Sequence, residues 1–218
     1  MTRIQKAKTK LLLALVLMSL ISRVSSNCTG DSLEETCDLR ELTNHSSNFL
    51  QNQDLLDLLT TFFPKEYVLY LMYNSDVDGD DASVFHKKCD YKFPTLTVIE
   101  SENGRIFGGF TYIAWTTGNH STMEDPNAFV FSFDHKKKMP CHRQAFVTYV
   151  GTDYFPIFGR GNDIHIANHF TKNRKSYSEL GDSYGTQEDW KDIKSYEYLA
   201  GTKYFKVKRL EVFYVNFK

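Results

Sequence analysis

Short apolar runs alternate with polar, turn-forming segments along most of the chain after residue 50. Within one run the side chains of Phe129, Phe131 and Phe133 recur at every second position, which is the period of a strand with one buried face. Asn103 and Gly104 lie between two such runs and form a dipeptide typical of a tight β-hairpin. The pattern predicts strands at Tyr67–Tyr73, Thr95–Glu100, Arg105–Tyr112, Ala128–Phe133, Ala145–Val150, Asp163–Asn168 and Lys206–Phe217.

Two segments have helical rather than strand-like patterns. Asp54–Phe63 carries leucine and phenylalanine side chains at helical spacing and is followed by Pro64, which cannot continue a helix. Asp81 is a favourable N-cap for a short helix over Ala82–Cys89, because its carboxylate can accept a bond from a free N–H of the first turn. Strands and helices together predict a mainly β protein with marginal helices (α+β), built as a two-sheet antiparallel β-sandwich.

The N-terminus has the layout of a secretory signal peptide. Basic residues without any acid precede the apolar run Leu11–Ile21, and small residues lead to a cleavage position after Ser26. A mitochondrial presequence is the alternative, but such a segment is amphipathic, whereas this one separates its charges from its apolar run. We expect a signal peptide over residues 1–26, a polar arm or linker over 27–52 and the folded domain over 53–218. The expected location is the secretory lumen or the outside of the cell.

Composition adds two constraints. The 218 residues carry 26 basic and 27 acidic side chains, and removal of the leader leaves 21 basic side chains against 27 acidic ones, a net charge of −6. Without a basic surplus the mature chain is not expected to bind nucleic acid. The 17 phenylalanines and 13 tyrosines are typical of a sheet-rich core.

An even number of cysteines follows the leader: Cys28, Cys37, Cys89 and Cys141. In a secreted chain this count is compatible with disulfide bonds. Cys28 and Cys37 lie close enough in sequence to pair with each other, which leaves Cys89 and Cys141 to pair or to remain buried thiols. Three connectivities are open, and the sequence does not choose among them.

Two sequons in polar segments predict N-linked glycans at Asn44 and Asn119. Asn119 lies in a run of small and polar residues that is typical of a surface loop.

Four blocks in a fixed order resemble the TLDc domain, a module of oxidation-resistance and nuclear-receptor-coactivator-type proteins. The blocks read FHKKCDYKFPTLTV at 85–98, GRIFGGF at 104–110, PIFGRGNDIHI at 156–166 and LAGTKYFKVKRLEVFYV at 199–215. The resemblance runs from about residue 55 to residue 217 and implies two sheets with helices at the margins. The motif positions that it marks are His86, Cys89, Asp90, Gly108, Gly109, Gly159, Gly161, Asp163 and Glu211.

The resemblance also implies a function. It implies protection against oxidative damage and, for several members, binding to the cytosolic part of the vacuolar proton-pumping ATPase. A signal peptide would place the domain across the membrane from that complex. We therefore expect a non-catalytic interaction module with a different protein partner, and no cofactor. The alternatives are a cytosolic or organellar protein with the family's roles, and a thiol-based peroxide-handling enzyme.

Two motifs suggest an enzyme. Gly181–Gly185 reads GDSYG and matches the nucleophile elbow of serine hydrolases, but a polar segment precedes Ser183 and no histidine follows it. We interpret the motif as a glycine-rich turn. Cys89 follows two lysines that could lower the pKa of its thiol, as a peroxide-reducing cysteine requires. A zinc site that combines His86 and Cys89 with Cys141 and His142 has a non-standard spacing and is not expected.

Glu211 is the carboxylate that the strand pattern makes most interesting. Strict alternation places it on one face of the last strand with Val207, Phe213, Val215 and Phe217. A carboxylate on a buried face needs a positive or hydrogen-bonding partner. We expect a salt bridge or a carboxylate that accepts backbone N–H bonds; a general acid or base is the alternative.

Overall fold

The computed structural model describes residues 47–117, 122–142, 146–148, 153–190 and 193–218. All of them belong to one compact unit, Leu42–Lys218. Twelve strands lie within the described residues. They are β1 (Tyr67–Asn74), β2 (Thr95–Ser101), β3 (Ile106–Thr111), β4 (Thr122–Glu124), β5 (Phe129–Ser132), β6 (Lys137–Pro140), β7 (Phe146–Thr148), β8 (Tyr154–Phe158), β9 (Ile164–Ala167), β10 (Ser176–Ser178), β11 (Tyr204–Phe205) and β12 (Val207–Phe217).

The strands form two six-stranded sheets. The first has the order β1-β12-β2-β3-β5-β6 and the second the order β11-β10-β9-β8-β7-β4. Neighbouring strands pair antiparallel, which confirms the predicted two-sheet antiparallel architecture. β2 and β3 form the predicted hairpin, and Gly104 in its turn has a φ of +77°, a value that glycine adopts without strain.

Three α-helices and two 3₁₀ turns lie at the margins of the described domain. They are α1 (Gln53–Thr60), α2 (Ser75–Asp78), α3 (Ala82–Cys89) and the 3₁₀ turns Phe49–Gln51 and Gln187–Trp190. The side chain of Asp81 accepts a bond from the N–H of Ser83 at 2.9 Å, so it caps α3 as predicted. None of the helices in the described part of the chain is long and apolar enough to span a bilayer.

β12 is a central strand whose two faces are both buried. Val212 belongs to a core between the two sheets, and Phe213 belongs to a second core that α1 and the Phe49–Gln51 turn cover. The prediction that Val207 shares a face of the strand with Phe213 was wrong, because Val207 lies in the first core. The pairing of β12 with β2 shifts register between Val207 and Arg209, and such a bulge turns the strand's faces.

Candidate functional site

The structure does not gather the motif positions into one site. They lie in four separate clusters, and each cluster joins parts of the chain that are far apart in sequence. The clusters are the end of α3 (His86, Cys89, Asp90), the middle of β3 (Gly108, Gly109), the turn before β9 (Gly159, Gly161, Asp163) and the centre of β12 (Glu211).

At the end of α3 a histidine and a carboxylate tie the helix to the second sheet. Nδ1 of His86 lies 2.7 Å from Oδ1 of Asp90, and Nε2 lies 2.9 Å from the carbonyl oxygen of Tyr154 in β8. Oδ2 of Asp90 accepts the N–H of Thr117 at 2.7 Å. His86 is buried, and both of its ring nitrogens face oxygen atoms. The pair therefore fixes the segment that leaves α3.

Cys89 is a packed thiol. It is fully buried, and burial together with the nearby Asp90 carboxylate raises its pKa well above the ordinary value. Cys89 and Cys141 are both thiols, so the pairing of these two that the sequence allowed is not formed. Among the described residues, no group of three or more His, Cys, Asp or Glu side chains is placed to hold a metal ion.

The paired glycines of β3 allow close packing on both faces of the first sheet. A Cβ on Gly108 would overlap the carbonyl oxygen of Thr97 in β2. A Cβ on Gly109 would come within 2.6 Å of the Phe158 ring in the second sheet. Residues without a Cβ let a backbone or ring approach at these positions.

Asp163 organises the turn before β9. Its buried carboxylate accepts bonds from the N–H groups of Gly181 at 3.0 Å, Ser183 at 3.2 Å and Tyr184 at 3.3 Å. Gly159 closes over the carboxylate with a φ of +88°, and a Cβ there would overlap Oδ2. Burial raises the pKa of Asp163 to about 6, although the three N–H bonds act in the opposite direction.

The GDSYG motif forms part of the turn that Asp163 holds. Ser183 is buried, and its hydroxyl accepts the N–H of Arg160 at 2.9 Å. Nδ1 of His142 lies 2.8 Å from the carbonyl oxygen of Ser183. The serine therefore holds the turn at residues 159–161. β10 ends at Ser178 and residues 179–182 form a turn, so no strand runs directly into Ser183 as a nucleophile elbow requires.

Glu211 is fully buried at the centre of β12. Its carboxylate accepts bonds from the hydroxyl of Ser47 and, at 2.8 Å, from the N–H of Asn48. Burial raises its pKa, whereas these bonds and one from the N–H of Phe49 lower it. Sequence reasoning did not find these donors, because it assigned Ser47 and Asn48 to a polar arm.

An open cleft of about 630 Å³ lies between α1 and β1. β1 is an edge strand, and among the described strands it pairs only with β12. Lys65, Glu66 and Lys218 line the cleft together with the apolar residues. The apolar lining residues are Leu50, Leu56, Phe63, Pro64, Val68 and Leu69.

These features define a β-sandwich domain in which buried carboxylates hold a turn and the segment of residues 47–49 to the sheets. The family model of the TLDc domain matches residues 43–216, and the chain belongs to the TLDc-domain family. A comparison with curated proteins gives no match. The match begins inside the predicted arm, and Ser47 and Phe49 are buried, so this end of the arm belongs to the folded domain.

Several predicted features lie outside the described residues and stay predictions. They are the signal peptide, the glycan sites Asn44 and Asn119, and the cysteines Cys28 and Cys37.

Proposed function

We propose that this TLDc protein is a non-catalytic protein-interaction module of the secretory pathway or the extracellular space. The observation that carries the proposal is a contrast between interior and surface. Cys89, Asp163, Ser183 and Glu211 are buried in packing or hydrogen bonds that hold the fold. The cleft between α1 and β1 is open and largely apolar, as binding surfaces commonly are.

The cleft suits an extended peptide segment. An edge strand has backbone N–H and C=O groups on its outer side that another strand can pair with. Tyr67, Val68, Leu69 and Tyr70 of β1 are only partly buried. Apolar side chains at alternate positions of a bound segment would then reach the cleft, while main-chain bonds to β1 would give affinity.

A peptide-display selection against the mature protein tests this binding mode. We expect extended sequences with alternating apolar residues, and we expect Val68→Lys to abolish their binding by placing a charge in the cleft. Val77→Lys is the matched control, since Val77 is 55% exposed and does not line the cleft. Failure to enrich any sequence, or equal loss of binding in both variants, would contradict the proposed module.

The thiol-based peroxide-handling enzyme is the first alternative. A peroxide-reducing cysteine must be accessible and must have a low pKa. Cys89 has neither property, because it is fully buried and its pKa is raised. We expect Cys89 to resist alkylation until the protein unfolds, which peptide mapping after iodoacetamide treatment measures. Rapid labelling of native Cys89 with consumption of peroxide would favour the enzyme.

The location of the protein in the cell distinguishes the proposed function from the remaining alternative. A cytosolic or organellar TLDc protein, including a mitochondrial one, could protect against oxidative damage and bind the vacuolar proton-pumping ATPase. N-terminal sequencing of the protein from eukaryotic cells should find a chain that begins after Ser26. Treatment with an N-glycosidase should increase its gel mobility through loss of glycans at Asn44 and Asn119. An intact Met1 on a protein without glycans would favour the cytosolic role.

A further inference from the structure

A row of aromatic rings leads out of the α1–β1 cleft across one end of the first sheet. Phe63 lines the cleft, and its ring centroid lies 4.6 Å from that of Tyr67 and 5.6 Å from that of Phe217. The ring of Phe217 stacks in turn on that of Tyr112, with the centroids 6.0 Å apart and the planes inclined by 22°. Exposure rises along the row, from 8% for Phe63 to 41% for Tyr112. The lining of the cleft therefore continues into an exposed surface made of Phe217 and Tyr112, here named the aromatic pair.

The backbone holds both rings of the aromatic pair in place. Phe217 is the strand partner of Tyr67, the first residue of β1. The N–H of Tyr112 donates to Oδ2 of the buried Asp125 at 2.6 Å, and the same oxygen accepts the hydroxyl of Thr111 at 2.8 Å. A partner that packs on the aromatic pair therefore meets a surface that is already ordered, which lowers the entropic cost of binding.

A lysine without a partner lies where the row of rings begins. Among the charged residues that line the cleft, Nζ of Lys218 lies 3.8 Å from Oε2 of Glu66. No hydrogen bond or ion pair joins the exposed side chain of Lys65 to another described residue. Lys65 is two residues from Phe63 and two from Tyr67, so it belongs to the same end of the cleft. Its ammonium group can therefore bind a carboxylate of a partner.

We propose that the extended peptide bound in the cleft carries an aromatic residue next to an acidic residue at the point where it passes Tyr67. The aromatic ring packs on the aromatic pair, and the carboxylate binds the ammonium group of Lys65. A ring fits this surface better than an aliphatic side chain, because aromatic pairs gain free energy beyond the area that they bury. This partner chemistry rests on the proposed function, since it describes the occupant of the same cleft.

Fluorescence anisotropy with labelled synthetic peptides tests this preference on the mature protein. The probes have alternating valine and threonine residues and a glutamate–tryptophan pair at one end. Both ends are tried, because an edge strand can pair with a parallel or an antiparallel segment. Replacement of the tryptophan by leucine should weaken binding about three- to tenfold, which is the energy of one aromatic pair expressed as affinity. Replacement of the glutamate by glutamine should weaken it about two- to fivefold, and about 1 M salt should remove that difference.

The outcomes separate this inference from the proposed function. Equal affinity for the tryptophan and leucine peptides would overturn the aromatic preference and leave the cleft as a peptide site. A lack of binding by every peptide would overturn the proposed function as well.

Matched protein variants locate the contact. Tyr112→Leu should lower the affinity for the tryptophan peptide to that for the leucine peptide, whereas Tyr112→Phe keeps the ring and should leave it unchanged. Tyr204→Leu is the control: Tyr204 is 57% exposed on the second sheet, its ring lies 6.0 Å from that of Tyr177, and its loss should leave peptide affinity unchanged. Lys65→Glu should reverse the preference between peptides with glutamate and with lysine at the acidic position. Thermal unfolding verifies that each variant is folded, and an equal loss of affinity in Tyr112→Leu and Tyr204→Leu would overturn the assignment of the ring to the aromatic pair.

Discussion

Asp163 and His165 lie two residues apart, and burial moves their pKa values in opposite directions. The pKa of Asp163 is raised to about 6, and the pKa of His165 is lowered to about 4. In each case burial disfavours the charged form. Nδ1 of His165 is buried and has no hydrogen-bond partner among the described residues, and its ring stacks on Tyr177 at 4.8 Å. The two residues should therefore contribute opposite pH dependences to the stability of one fold.

The sign follows from which state binds more protons. Between about pH 4 and 6 the folded state holds a proton on Asp163 that the unfolded state has released, so acidification stabilises the fold. Between about pH 6.5 and 4 the unfolded state protonates His165 while the folded state does not, so acidification destabilises it. Each shift of about two units corresponds to about 2–3 kcal/mol between pH 7 and pH 4, and the two contributions nearly cancel.

Single variants separate the two contributions. Relative to wild type, Asp163→Asn should lose about 2–3 kcal/mol more stability at pH 4 than at pH 7, because it lacks the stabilising protonation. His165→Phe keeps an aromatic ring against Tyr177 and should gain a similar amount relative to wild type over the same range. Urea unfolding at a series of pH values gives both differences. Curves for the three proteins that run parallel in pH would refute the opposed titrations.

Three further substitutions test the Glu211 carboxylate, the glycines of β3 and the GDSYG turn. Glu211→Ala leaves the donors of residues 47–49 without their acceptor and should cost about 2–4 kcal/mol, a fall in midpoint of roughly 4–16 °C. Lys208→Ala is the control: its side chain is exposed at the bulge of β12 and pairs with Glu100, so its loss should cost under about 1 kcal/mol. Gly108→Ala should prevent stable folding, because a β2 carbonyl occupies the space, whereas Gly104→Ala should cost only about 1 kcal/mol of backbone strain. Ser183→Ala should lower stability by about 1–2 kcal/mol and leave any esterase activity of a preparation unchanged. Thermal unfolding measures each change, and an unchanged midpoint for Glu211→Ala would indicate that its carboxylate does not hold the segment.

The elements that the sequence predicted well are determined by residues within the element itself. α3 has its cap in Asp81, and the β2–β3 hairpin has its turn in Asn103 and Gly104. β12 has eleven residues with an alternating pattern long enough to be recognised. β10 and β11 have three and two residues, and the polar Ser176 and Ser178 of β10 are buried. These strands exist because neighbouring strands supply partners, which no local pattern reveals.

The candidate site was predictable only in part for a similar reason. Alternation in β12 placed Glu211 on a buried face, and the structure buries it fully. Its partners were not predictable, because Ser47 and Asn48 lie more than 160 residues away in a segment without strand or helix pattern. The prediction placed Val207 on the wrong face of β12, because a bulge breaks the strict alternation of side chains along the strand.

The positions that carry the family resemblance act on function through the surfaces that they hold in place. Asp163 binds three backbone N–H groups of one turn, and Glu211 binds the segment that leads into α1, which forms one wall of the cleft. His86 and Asp90 fix the segment that leaves α3. The hydrogen bonds of such a buried side chain do not depend on the exposed residues of the loop. Those exposed residues can therefore differ without disturbing the way the loop is held. These motif residues therefore account for the fold, whereas the exposed residues that they position are the ones available to a partner.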